Sequence, residues 1–310
     1  MLQNGDDARY AEDAEPTVTF RIKPTELIFE TNELGFSLGD VEAICDTGKS
    51  SKIGDSDTTG EKGLGFKSVF GIADYVHIQS GLWSFRFEHK RGEDGVGMIT
   101  PIWTDVVTSL PAGVGTKCTL RYLDTRDNFY QRLISEFERL PRTTIFALRQ
   151  VSSMVVVVER ADGRSDHITF TKDGDLSSEE MQISTMVTGQ FGDHRSEKTR
   201  LRCFEHTVID LPSESQRTNA ASDVTVAFEV NLSGTPVVPP RGLHVFAYLP
   251  VQRVPHLPVR CPTPPTYHAN KCSFSSTRIL CLRPIVKRYR TQIGTKHCDK
   301  VLLRHLSSGL

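Results

Sequence analysis

The sequence predicts an α+β chain: an α/β domain over residues 1–124, a helix and a β-rich domain over 125–253, and an irregular basic tail over 254–310. Three observations predict it. Before Asp124, short alternating apolar–polar stretches are interrupted by helix-opening and Gly-rich segments. After Asp127, one amphipathic stretch gives way to a succession of alternating segments. After Arg253 the composition changes abruptly. Residues 254–310 hold ten Lys/Arg and one acid, Asp299, with four of the seven Cys and six of the sixteen Pro.

Each element has its own signal. Asn4 to Ala14 is acidic and helix-compatible. Thr17–Ile22 alternates as a half-buried strand does, Lys23-Pro24 punctuates, and Glu26–Glu30 reads as the returning strand. Ser37-Leu38-Gly39-Asp40 is a capping-box pattern opening a short helix with Val41, Ile44 and Cys45 on one face. Residues 54–65 form a polar, Gly-rich loop, and 66–72 a short buried helix. Tyr75–Gln79 and Trp83–Phe87 flank a Ser80-Gly81 turn as a hairpin, and Lys117–Tyr122 is a further strand. Phe129, Leu133, Phe137 and Leu140 recur at helical spacing before Pro141. A second short helix is expected at 145–149. Strands then follow at 154–159, 166–171, 201–209, 224–230 and 243–250, with 173–199 and 212–222 as surface loops.

Hydrophobic residues at 38% and charged residues at 24% exclude collagen-like, disulfide-scaffold and wholly disordered classes. No apolar run approaches the ~20 residues of a membrane span. The polar N-terminus, Met1-Leu2-Gln3-Asn4-Gly5-Asp6-Asp7, resembles no secretory or transit signal, so the cytoplasm or nucleus is the expected compartment. The net charge of −1 divides into a body with 27 basic and 37 acidic residues and the basic tail. An acidic body argues against nucleic acid as a partner. Seven Cys without paired spacing read as reduced thiols. Cys261, Cys272, Cys281 and Cys298 with His256, His268, His297 and His305 form no Cys-x₂₋₄-Cys pair, which argues against zinc. His77 and His89 lack partners at metal spacing.

The chemistry-bearing stretch is Gly60-Glu61-Lys62-Gly63-Leu64-Gly65-Phe66-Lys67-Ser68-Val69-Phe70. Its glycines permit a backbone path closed to residues with a Cβ, and the helix that follows presents N–H groups suited to phosphate. It is no Walker A loop, because Phe66 stands before Lys67-Ser68, and Gly48-Lys49-Ser50 has Ala43 where the first Gly belongs. The dinucleotide fingerprint fails at Ser68.

In order, the chain reads Gln3-Asn4-Gly5-Asp6-Asp7-Ala8, Asn32-Glu33-Leu34-Gly35-Phe36, Gly48-Lys49-Ser50-Ser51-Lys52, the Gly60–Phe70 stretch, Ala73-Asp74 and Gly115-Thr116. This series resembles the GHKL ATPases (gyrase B, heat-shock chaperone, histidine kinase and MutL type), and more narrowly their sacsin/No Vein branch. The resemblance covers residues 1–123, weakens to 253 and is absent beyond. It implies a two-layer α/β sandwich, a mixed sheet covered on one face by helices. It also implies Mg·ATP capture, closure of a lid over Gly60–Gly65, and slow hydrolysis that serves gating, with a client protein as partner.

The resemblance also implies residue roles. Asn4 matches the Asn that holds Mg²⁺, and Asp7 an acid one turn on. Thr31 and Asn32 match the position that receives the adenine amine, with Gly35 as the retained glycine. Gly60, Gly63 and Gly65 match the lid hinge, Lys49 and Lys67 would neutralise phosphate charge, and Thr116 matches the Thr at the adenine end. The family's general-base Glu falls four residues before Asn4, ahead of Met1, so the expectation is an N-terminally truncated chain that binds ATP better than it hydrolyses it. The competing reading is a nucleotide-free interaction module that keeps the ancestral fold. For residues 254–310 the expectation is an out-of-frame or retained-intron translation that does not pack, against a genuine basic arm.

Overall fold

The computed structural model describes residues 1–45, 64–89, 92, 95–106, 109–123, 127–174, 179–189, 194–208, 222–237, 243–247, 249–254, 259–260, 273–274 and 278–281. The chain separates into two compact units, Met1–Thr171 with Ser184–Glu197, and Lys172–Ile183 with Lys198–Leu310.

The first unit opens with helix α1 (Leu2–Asp6). Strands β1 (Thr17–Ile22) and β2 (Glu26–Thr31) follow, then helices α2 (Leu38–Cys45) and α3 (Leu64–Lys67). Strands β3 (Ala73–Ser80) and β4 (Trp83–Glu88) form the expected hairpin, followed by β5 (Ile102–Trp103) and β6 (Thr116–Tyr122). Helix α4 (Asp127–Glu138) precedes β7 (Ser153–Glu159) and β8 (Ser165–Asp173). In hydrogen-bonded order these strands run β8-β7-β1-β2-β6-β3-β4-β5. The β1–β7 pair is parallel, with Thr17 opposite Ser153, and the other pairs are antiparallel.

Alternation along the strands gives the sheet two unlike faces. One carries Val18, Phe20, Phe29, Ile78, Phe85 and Leu120, all buried. Phe20 meets Phe137 of α4 at 5.3 Å between ring centroids, and Phe87 meets Phe70 at 6.3 Å. The other face carries Tyr75, His77, Arg86, Thr119 and Arg121, with the Arg121 guanidinium 4.3 Å from the Tyr75 ring centre.

Strands β9 (Glu180–Thr188) and β10 (Arg195–Val208), like β8 with its last two residues, have residues in both units. In the second unit, β10 pairs antiparallel with β11 (Ser222–Val230). Strand β12 (Leu243–Ala247) pairs with β13 (Leu249–Val254). Of the tail, the described pieces include β14 (Val259–Arg260), β15 (Ser273–Phe274) and β16 (Arg278–Cys281), the last paired with β11.

This architecture corrects the expected two-layer α/β sandwich. The described chain is mostly one large mixed sheet with few and short helices, the longest being the twelve residues of α4. Three local causes are visible. Helix α1 stops at Asp6, where the chain turns so that Tyr10 Oη donates to Gly5 O at 2.7 Å and Leu34 N donates to Arg9 O at 2.8 Å. Residues 145–149 are turns and bends with three-residue closures such as Phe146 N to Thr143 O, not a helix. The expected loop at 173–199 contains β9 and the start of β10, whose alternation of buried Met181, Ile183 and Thr185 is diluted by polar neighbours. Side chains from a one-turn 3-10 helix at Ser68–Gly71, where a short buried helix was expected, and from the turns after α4 lie in the core: Val69, Phe70, Ile145, Phe146 and Leu148 are all buried.

The Asp6 side chain ties α1 to the segment before β7. Asp6 is fully buried; its Oδ2 accepts from Arg149 N at 2.8 Å, and its Oδ1 accepts from Gln150 N at 2.8 Å and Val151 N at 3.0 Å. The near-isosteric Asp6→Asn turns an amide N–H toward these donors and is expected to cost about 2–3 kcal/mol in urea unfolding. Glu12→Gln, on an exposed side chain, is expected to stay within ~0.5 kcal/mol of wild type.

Candidate functional site

Three of the residues singled out in the sequence, Thr31, Gly35 and Thr116, meet where β2, β6 and β3 end. Thr31, last in β2, faces Thr116, first in β6, and Thr116 faces Ser80, last in β3. Since direct cross-strand partners share a face, the three hydroxyls form one row. Ser80 Oγ lies 2.5 Å from Thr116 Oγ1, and Phe36 N donates to Ser80 Oγ at 2.8 Å. The connecting loops are threaded through this row at van der Waals limits. Gly115 N donates to Thr31 O at 2.8 Å, and Gly81 N to Gly115 O at 3.3 Å. Gly35 holds φ +92°, a conformation favouring glycine, and a Cβ there would sit 3.3 Å from Ser80 Oγ. A Cβ on Gly115 would overlap the Glu33 carbonyl oxygen. Thr31, Gly35 and Thr116 thus meet, although 84 residues separate the first from the last.

Helix α1 lies against the same strand ends. A Cβ added to Gly5 would be 2.8 Å from Val18 Cγ1 and 3.6 Å from Thr31 Cγ2, so only glycine lets the helix come this close. Asn4 is exposed. Asp7 is held by Arg149, whose Nη2 donates to Asp7 Oδ1 at 3.1 Å. Asn32 stands one residue beyond Thr31 with its amide engaged at both ends: Oδ1 accepts from Thr17 N at 2.8 Å and Nδ2 donates to Glu15 O at 2.9 Å. Helix α2 begins with the expected reciprocal cap. Asp40 Oδ2 accepts from Ser37 N at 2.8 Å, and Asp40 N donates to Ser37 Oγ at 3.4 Å. At its other end the Cys45 thiol is pushed up by burial, opposed by the nearby charge of Lys67 in α3. Gly65 lies in α3. Lys49, Gly60 and Gly63 fall outside the described residues.

Among the described residues, no three His, Cys, Asp or Glu side chains are grouped to hold a metal. Asn4 offers an exposed amide oxygen, a hard donor of the type Mg²⁺ takes. No described helix is long and apolar enough to cross a membrane.

Asp6, Arg149 and Ser80 were not legible as site residues. Ser80 reads as a turn residue beside Gly81, yet it shares parity with Val76 and Ile78, which places it on the core face. Asp6 was not singled out beside Asp7; nothing local marks its partners, more than 140 residues away.

A separate polar group sits on the open face. His77 Nε2 lies 3.2 Å from both Ser84 Oγ and Thr104 Oγ1, and those hydroxyls are 2.8 Å apart. Burial, then the charges of Lys117 and Arg86, hold the imidazole below its ordinary value.

No family model matches the chain. Over 101 residues, 33% of the chain, it is 41% identical to Protein NO VEIN of Arabidopsis thaliana, and the match spans 4% of that protein's length. A crystal structure of the N-terminal domain of a DNA repair protein aligns at TM-score 0.42 and 14% identity, covering 81% of this chain and 72% of that one, a likeness too loose to carry an argument. The sequence relationship supported is therefore to the No Vein, sacsin-like group, through about a third of the chain.

Gly115→Ala is expected to destabilise by about 2 kcal/mol or more, because the new methyl meets a backbone carbonyl. Gly39→Ala, inside α2 with its nearest Cβ neighbour at 3.8 Å, is expected to be neutral or stabilising in the same melt. His77 predicts a pH effect of definite sign. Its folded-state value is lowered, so its contribution is present above ~6.5 and lost as pH falls through the folded value. Urea midpoints from pH 7.5 to 5 should fall more steeply in wild type than in His77→Gln.

Proposed function

We propose that the chain is an ATP-binding module of the sacsin/No Vein kind, taking Mg·ATP against α1 and the hydroxyl row and changing conformation more readily than it hydrolyses. The observation that carries this reading is the meeting of Thr31, Gly35 and Thr116, drawn from separate sequence motifs, at one hydrogen-bonded knot beneath α1. The 41% identity to Protein NO VEIN over 101 residues supports the same kinship. In this reading Asn4 would hold Mg²⁺, which would supply positive charge for the phosphates, and Asp7 would stand near it, its carboxylate engaged by Arg149. Thr31 and Thr116 serve the base, with Asn32 bracing the loop behind them. Lys67 and Lys49 would neutralise phosphate charge, and Gly60, Gly63 and Gly65 would serve as the lid hinge, as the motif order implies.

A second reading, a nucleotide-free interaction module, is favoured by Leu34, Leu38 and Leu82, exposed at 64, 59 and 95%. Leu34 and Leu82 adjoin the glycines of the knot. Solvent-exposed leucines at one site fit a protein partner better than a nucleotide.

Thermal unfolding with Mg·ATP separates the two. Ligand at a hundred times Kd stabilises the native state by about 2.7 kcal/mol. The expected result is a rise in Tm for wild type and none for Gly63→Val or Gly65→Val. A wild-type melt unmoved by millimolar Mg·ATP would reject nucleotide binding in favour of the interaction module.

A further inference from the structure

The open face of the sheet holds more positive charge than its carboxylates answer. Direct cross-strand partners share a face, so Ile102, Arg86, His77 and Thr119 stand in one row across β5, β4, β3 and β6. Tyr75 and Arg121 are paired in the row on one side, Gln79 and Lys117 in the row on the other. The three glutamates bordering this area are engaged elsewhere. Glu88 Oε1 accepts from Arg86 Nε at 2.7 Å. Glu26 and Glu30 stand directly opposite Arg121 and Lys117, yet their carboxylates turn to Lys23 at 3.4 Å and to Arg21 at 2.8 Å. Among the described residues, Lys117 and Arg121 make no ion pair.

These cations are held in place. The Arg121 guanidinium lies 4.3 Å from the Tyr75 ring centre and that of Arg86 5.9 Å, so one ring steadies both. Their charge reaches the middle of the patch: after burial, Lys117 and Arg86 are what hold the His77 imidazole low. The hydroxyls of Ser84 and Thr104, each 3.2 Å from His77 Nε2, add hydrogen-bonding groups beside it.

Charge selects the occupant. A phosphomonoester carries roughly two negative charges near pH 7 and accepts hydrogen bonds at three oxygens. Two uncompensated cations match that charge, whereas a single carboxylate would leave one over. A long polyanion fits less well. Glu88 on β4 and Glu26 and Glu30 on β2 border the patch on both sides, and the chain before the basic tail holds 27 basic against 37 acidic residues, so neighbouring phosphates would meet carboxylates. Ile102, directly opposite Arg86 and 41% exposed, puts an apolar side chain on the same face, a footing that a peptide can use and a free anion cannot.

We propose that this face, centred on His77 between Lys117, Arg86 and Arg121, is a docking site for a phosphorylated side chain of a protein partner. Thr31, Ser80 and Thr116 lie on the opposite face of the sheet, so the site is separate from the proposed nucleotide site and stands without it.

The test is titration calorimetry of the full chain with a short peptide whose central phosphoserine is flanked by leucines. Its unphosphorylated and glutamate counterparts, inorganic phosphate and a single-stranded oligonucleotide serve as comparison ligands. Wild type is expected to bind the phosphopeptide about tenfold or more tighter than each of these. Lys117→Gln and Arg121→Gln, each first checked for wild-type unfolding, should weaken it about fivefold or more. Arg139→Gln removes an exposed charge just past α4, which packs on the core face, and should leave binding within about twofold. Phosphopeptide binding that survives both Lys117→Gln and Arg121→Gln would place the phosphate elsewhere and overturn the proposal. Equal binding of the unphosphorylated or glutamate peptide, or of inorganic phosphate, would also overturn it, as would an oligonucleotide that binds more tightly than the phosphopeptide. None of these outcomes bears on the shift in Tm expected with Mg·ATP.

Discussion

The buried carboxylate of Asp6 is the constraint on which the first unit depends. A five-residue helix has no stability of its own, because nucleation costs more than one turn of hydrogen bonds returns. Three backbone N–H groups from residues 149–151 converge on Asp6, and the Gln150 amide adds bonds to Asp6 O and Ala8 O at 2.9 and 3.0 Å. The latch acts on both sides. It holds α1 where Gly5 can press against Val18 and Thr31, and it sets the chain just before β7. Pro16 O then accepts from Ser152 N and Ser153 N, which brings β7 into parallel register with β1. A parallel neighbour has no hairpin turn to align it, so the register must come from contacts of this kind.

The sheet explains why the candidate site sits at strand ends. Along the core face the apolar residues leave no room for polarity, and Val18, Phe85 and Leu120 are wholly buried. At the ends of β2, β6 and β3 that face reaches the loops carrying Gly35, Gly81 and Gly115. There the side chains change to Thr31, Thr116 and Ser80. Glycine is required at 35 and 115 because the backbones of 33–36, 80–81 and 115 pass within contact distance of one another, and is favoured at 81 by its φ of +56°. The same close passage delivers Phe36 N–H to Ser80, so backbone packing and hydroxyl polarity are parts of one arrangement.

Much of this was legible in the sequence, and the exceptions share a cause. Strand β1 alternates cleanly and folds over the residues its pattern indicates; the β3–β4 hairpin and α4 likewise follow local periodicity. Thr31, Gly35 and Thr116 were identifiable from the order of the motifs. What was hidden depends on distant partners. Residues 145–149 carry a helix-like apolar run, but the N–H groups that follow are captured by Asp6, so the segment turns instead. Strand β9 hides because Gln182 and Ser184 separate its buried residues, and its pairing rather than its apolar content makes it a strand. The helical cover implied by family resemblance fails for a further reason. Single side chains from a short 3-10 helix and from turns, Phe70 and Phe146 among them, are buried in the core without a continuous helical layer.

Two ways of burying polarity thus operate a few residues apart, and their difference has a consequence. A carboxylate in an apolar interior is tolerable only when several donors compensate it, and Asp6 has three whose backbone positions leave it no alternative partner. That arrangement is stiff and suits a latch. The hydroxyl row carries no charge, so its desolvation costs less, and its protons can turn about their C–O bonds. Backbone N–H groups fix both ends of the row, Phe36 N donating to Ser80 and Glu33 N to Thr31. A carboxylate in place of Thr31 would need its own set of donors or a neighbouring cation, and the adjoining Asn32 amide is already committed to Thr17 and Glu15. The environment at the end of β2 therefore favours a hydroxyl over an acid. Polarity there is met by backbone N–H groups and neighbouring hydroxyls rather than by charge.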